Sequence, residues 1–135
     1  MSTPKQHVEQ IIAYLSERGE TISVAESLTA GGLANALTSA SGSSAVFVGG
    51  ITAYRNEIKS TMLDVDPAII EKHTVVSEEV ANEMAEGARK VFGTTWAIST
   101  TGAAGPEAWA GAAAMGCAGG WHPRRTLQRR NRLPA

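Results

Sequence analysis

The residues best suited to chemistry lie in Ala25-Glu26-Ser27-Leu28-Thr29-Ala30-Gly31-Gly32. This stretch follows a short β-type run, Thr21–Val24, and precedes a helical pattern carrying Leu33 and Leu37. A strand feeding a helix through small and hydroxylic residues leaves main-chain N–H groups unpartnered, and the positive helix end adds to their pull on an anion. Gly31 and Gly32 allow a ligand close to the backbone. Ser27, at the turn, offers a hydroxyl that can serve as a nucleophile. The plainer reading makes Ser27 and Thr29 helix caps and the glycines turn residues. No GxGxxG or GxxxxGK[ST] occurs in the chain, so neither a dinucleotide fingerprint nor a P-loop is indicated.

Two further groups could join Ser27 and Thr29. One is Tyr54-Arg55-Asn56-Glu57-Ile58-Lys59, where a strand-end tyrosine and a first-turn lysine can face the same side. The other is the small-residue loop Thr101-Gly102-Ala103-Ala104-Gly105-Pro106. Amide hydrolysis needs a nucleophile, a group to take its proton and donors for the oxyanion. Ser27 suits the first role and Lys59 or Tyr54 the second, while N–H groups near Gly31 and Gly102 suit the third. Taken singly, Lys59 also reads as a solvated charge and Tyr54 as a half-buried core residue. No His, Asp and Glu cluster has metal-ligand spacing.

These groups need elements to hold them. Thr3 and Pro4 form a helix start, and Val8, Ile11, Ile12 and Leu15 repeat at helical spacing up to a stop at Gly19. A strand is expected over 21–25, a helix over 29–38 and a buried strand over 45–54, with a short helix over 55–63. Asp66-Pro67 opens another helix reaching about Lys72. Ser77-Glu78-Glu79 caps one that is closed by Gly93 and lined by Val80, Met84, Ala88 and Val91. A strand over 94–100 then runs into the second loop. Strands separated by helices imply an α/β layered fold with ligands beyond the strand ends, so loops after two strands can share one crevice.

A length of 135 residues, 43% hydrophobic and 19% charged, fits a globular chain with one modest core. A formal net charge of −1 gives no general attraction to nucleic acid or to a membrane surface. The single cysteine, Cys117, excludes an internal disulfide, and no apolar run approaches a signal peptide or membrane span; a cytoplasmic location is expected.

Together, AESLTAGG, GSSAVFVGGITAYRNEIK, VSEEVANEMAEGA and TTGAAGP resemble, in one collinear order over about residues 5–106, the CinA C-terminal domain family of nicotinamide-nucleotide amidohydrolases, also called competence/damage-inducible proteins. The resemblance implies a three-layer α/β/α domain that converts nicotinamide mononucleotide to nicotinate mononucleotide and ammonia by a serine mechanism, without metal or cofactor. It also implies self-association. Carried over, Ser27 matches the nucleophile and Tyr54 and Lys59 the activating groups. Thr29, Gly31, Gly32, Thr101 and Gly102 match positions lining the nucleotide pocket, with Asn56 beside them. Leu28 stands where many members carry Cys, and Ala30 where many carry Gly.

The resemblance stops at Pro106. Through that residue there are 7 Lys and Arg against 12 Asp and Glu; beyond it, 5 Arg stand against one Glu. The family's next strand, of Lys-Pro-Val-Gly type, has no counterpart in Glu107–Ala135. The chain is therefore expected to divide into an amidohydrolase-like domain, 1–106, incomplete at its C-terminal side, and an irregular Ala, Gly and Arg-rich tail, 107–135, of the kind a frameshift would leave. The alternatives are a catalytically inactive binding protein associated with competence or DNA damage, and a non-functional fragment.

Overall fold

The computed structural model describes residues 3–102, 113–119, 121–122 and 125–126, with side chains described through Gly102. Helix α1, Pro4–Arg18, starts at a capping box: the Thr3 hydroxyl accepts from the Gln6 N–H, and the Gln6 side chain accepts from the Thr3 N–H. It ends at Gly19, whose φ of 64° is one that residues with a Cβ rarely adopt. Strand β1, Ile22–Glu26, is buried throughout. After it come α2 (Gly32–Thr38), a 3₁₀ turn (Ser43–Ala45), β2 (Phe47–Thr52), α3 (Asn56–Leu63) and α4 (Pro67–His73). Helix α5, Glu78–Phe92, and β3, Trp96–Gly102, complete the parallel part. Asp66 caps α4 and Ser77 caps α5, each through its side-chain oxygen, and Gly93 closes α5.

The sheet order is β2-β1-β3-β4, with β1 parallel to both neighbours and β4, Ala113–Gly119, antiparallel to β3. The tail expected to be irregular thus contributes a strand. Trp121–His122 (β5) pairs with Arg125–Thr126 (β6). The rest of 107–135 lies outside the described residues. Alanine and glycine carry weak strand preference, so β4 owes its form to the ladder that β3 offers.

Two apolar clusters flank the sheet, which makes three layers. On one side Ile12, Leu15, Leu37 and Ala40 from α1, α2 and its following turn meet Ile22, Val24 and Val46. On the other, Leu63, Val80, Met84, Ala85 and Ala88 from α3 and α5 meet Ala25 and Ala97. Full burial of each large side chain contributes about 1.5–3 kcal/mol. The inward face of α5 includes Ala81 and Ala85, while Val91, expected on it, is 53% exposed and Phe92 packs inward instead. Ile11, likewise expected inside, is 38% exposed.

The expected buried strand over 45–54 is the edge strand β2, with intermediate and exposed residues alternating. Its register with β1 slips between Ile22 and Ser23, so Val48 has no partner there and stays 51% exposed. Its glycines serve packing. A Cβ on Gly50 would sit 2.5 Å from Val24 Cγ2, and one on Gly49 would sit 2.7 Å from the Phe92 ring. Among the described residues, no helix is long and apolar enough to cross a membrane.

Candidate active site

Three adjacent parallel strands end side by side, and each delivers part of the site. β1 lies between β2 and β3, with Glu26 opposite Thr52 and Ala25 opposite Ser99. Ser27 therefore leaves the sheet between the β2–α3 connection and the end of β3. It is 5% exposed, and its carbonyl accepts from the Ala30 N–H at 3.2 Å, closing a tight turn. Ala25 faces the α3 and α5 layer and Glu26 bonds to α2.

The helix end at this turn differs from the expected open anion cradle. Glu26, 1% exposed, fills it with its own carboxylate. Oε1 accepts from the Leu33 N–H at 2.7 Å and Oε2 from the Ala34 N–H at 3.0 Å, the second and third amides of α2. The Gly32 N–H donates to the Thr29 carbonyl at 2.9 Å. The charge that would draw a substrate anion is already balanced by the protein. The helix expected from Thr29 starts at Gly32, because Ala30 (φ 49°) and Gly31 (φ 99°) take left-handed conformations that break the helical path.

Thr29 Oγ1 donates to Glu26 Oε1 at 2.5 Å and lies 2.7 Å from Thr100 Oγ1. A hydroxyl has one proton. Since that of Thr29 goes to Glu26, Thr100 must be the donor of the second bond. The chain Thr100 → Thr29 → Glu26 thus has a fixed direction and ties the end of β3 to the Ser27 turn. Thr101 is fully buried and donates to the Val75 carbonyl at 2.8 Å, while Ser99 donates to the Ala81 carbonyl at 2.5 Å. Both fasten β3 to the segment that begins α5. Gly102 is the last residue of β3.

Lys59 projects inward from α3, is 1% exposed, and its Nζ donates to the Tyr54 carbonyl at 3.0 Å. Burial pushes its ammonium below the ordinary lysine range, against a smaller upward pull from Glu57. The solvated-charge reading of Lys59 is overturned. Tyr54 is 68% exposed, so its contribution to Lys59 is the main-chain carbonyl, and the half-buried reading of its ring fails. Asn56, at the first position of α3, lines a hollow of about 420 Å³ between α3 and α4. Another of about 420 Å³, lined by Arg89, Lys90 and Thr94 among others, opens beyond the N-terminal end of β3, at the opposite edge of the sheet from Ser27.

The structure thus brings Ser27, Thr29, Tyr54, Lys59, Thr101 and Gly102 to one edge of the sheet. Sequence reasoning missed Glu26 and Thr100. The available signal was a glutamate ending an apolar strand directly before a hydroxylic, glycine-rich turn, where an unpaired carboxylate would be costly.

The chain matches the model of the CinA C-terminal domain over residues 4–127, past the boundary expected at Pro106. It is 52% identical over 96 residues to a CinA-like protein of Parasynechococcus marenigrum, covering 71% of this chain and 23% of that one. A CinA-like protein of Prochlorococcus marinus is 54% identical over 99 residues, covering 73% and 23%. The chain therefore spans about a quarter of the length of these curated relatives. Among solved structures, the competence/damage inducible protein CihA of Agrobacterium tumefaciens superposes with a TM-score of 0.86 at 30% identity, covering 98% of this chain and 83% of that one. The competence-damaged protein (CinA) superfamily protein of Escherichia coli gives 0.81 at 29% identity, covering 85% and 70%.

Proposed function

The chain belongs to the CinA C-terminal domain family, and from that premise we propose that it is a nicotinamide-nucleotide amidohydrolase, releasing ammonia from nicotinamide mononucleotide. The observation that supports the reading is that Ser27 directly follows β1, while a buried, charge-disfavoured Lys59 bonds to the Tyr54 carbonyl just past the neighbouring strand β2. Neutral Lys59 takes the Ser27 proton as Oγ attacks the carboxamide carbon. The tetrahedral oxyanion collapses, the C–N bond breaks, and ammonia leaves with the proton held by Lys59. Water then cleaves the seryl ester, giving the nicotinate product and restoring Ser27. Depressing the lysine pKa raises the neutral fraction near pH 7, which is what a proton acceptor requires.

The test is ammonia release from nicotinamide mononucleotide by the full chain, compared with Ser27→Ala. A rate at least 100-fold above that variant is expected, and equal rates would remove the hydrolase reading. Nucleotide-dependent thermal stabilisation with no turnover would favour a binding-only protein instead.

A further inference from the structure

We propose that Glu26 is a positioning residue for Ser27, holding the nucleophile's turn by occupying the amino end of α2. This rests on the amidohydrolase reading for its kinetic consequence but not for its structural one.

Glu26 is adjacent to Ser27 in sequence, is 1% exposed, and is among the largest fully buried side chains of the described residues. Both of its oxygens are used, and all three partners lie just beyond Ser27: the Thr29 hydroxyl and the Leu33 and Ala34 N–H groups. Its main-chain carbonyl is held from the other side by the Ala53 N–H at 2.7 Å. Glu26 is thus pinned to the β2–α3 connection by its backbone and to the turn and α2 by its side chain, with the Ser27 Cα as the next joint. Through Thr29 and Thr100 the same carboxylate also fixes the end of β3. A buried acceptor set of this kind is satisfied only in one geometry, so the turn has little freedom to carry the serine elsewhere. Within the same turn Ala30 takes a left-handed φ of 49°, a conformation that costs a residue with a Cβ some energy and that the clamp helps to hold.

The consequence is specific. Replacing the carboxylate by an isosteric amide puts an N–H₂ against an N–H of α2 and frees the turn, while no residue assigned to substrate contact is itself replaced. Glu26→Gln is therefore expected to lower kcat for ammonia release from nicotinamide mononucleotide at least 10-fold, with KM changed less than about twofold, measured well below the variant's unfolding temperature. In parallel, amide hydrogen exchange on the unmodified chain and the variant reads the clamp directly. The Leu33 and Ala34 amides should be protected in the former and exchange at least 10-fold faster in the latter. An unchanged kcat in folded Glu26→Gln overturns the proposal. So do unprotected Leu33 and Ala34 amides in the unmodified chain, a result that needs no folded variant. If the unmodified chain and Ser27→Ala release ammonia equally, the amidohydrolase reading fails alone. The exchange comparison then still decides whether Glu26 orders the Ser27 turn.

Discussion

The Lys59 ammonium is held 3.0 Å from the Tyr54 carbonyl, yet the two residues face opposite environments: Lys59 is 1% and Tyr54 68% exposed. A carbonyl dipole is a weak counterpart for a buried full charge, so the lysine gives up its proton more readily than in water.

The sign of the pH effect follows. Between the lowered folded-state pKa of Lys59 and the ordinary lysine value, the unfolded chain binds more protons than the folded one. The Lys59 contribution to stability therefore rises with pH across that interval and is at its most unfavourable below it. Ammonia release should rise as pH passes through the lowered folded-state pKa, where the amine becomes neutral, and level off within that interval. A kcat/KM profile lacking an ascending limb would contradict the proposed role.

Lys59→Met keeps the buried stem and removes the charge. Activity is expected to fall at least 100-fold, the scale of a lost proton-transfer group. Stability should hold within about 1 kcal/mol or improve, since a hydrogen bond and a desolvation cost disappear together. Denaturant unfolding and ammonia assays on one preparation check both parts.

Gly87 sits in mid-α5 where α3 ends, and a Cβ there would lie 2.0 Å from the Leu63 carbonyl oxygen. In an open helix Gly→Ala adds about 0.5–1 kcal/mol of stability. Here the clash is with backbone, and overpacking costs about 1–3 kcal/mol or more. Gly87→Ala should therefore lower the unfolding midpoint, and a raised midpoint would show that the α3–α5 contact is looser than described.

Thr74 has φ 68° and ψ 166°, a region that β-branched residues avoid, and Ala30 has φ 49°. Such strain costs about 1–3 kcal/mol at a site, offset in part by the extra entropy that glycine brings to the unfolded chain. Thr74→Gly should stabilise by about 1 kcal/mol and Ala30→Gly by less, read as shifts in thermal midpoint.

Helix boundaries were legible where a local residue decides them. Thr3-Pro4, Asp66-Pro67, Ser77, Gly19 and Gly93 each act within one turn of their own position, and each stands at the expected helix end. What was not legible depends on distant partners. Glu26 caps amides seven and eight residues away across a turn whose shape the sequence does not announce. β4 consists of alanine, glycine, Met115 and Cys117, and becomes a strand through β3. β2 reads as a buried run, and only the strand order reveals it as an edge.

That edge has a practical outcome. Among the described residues no strand pairs with the outer side of β2, and Phe47–Thr52 contains no charge and no proline to discourage a newcomer. Val48→Lys should reduce concentration-dependent light scattering without altering ammonia release. The seam is a place where a second strand can add, so contact between copies through it should grow with protein concentration. Dilution should then lower the scattering of the unmodified chain more than that of Val48→Lys.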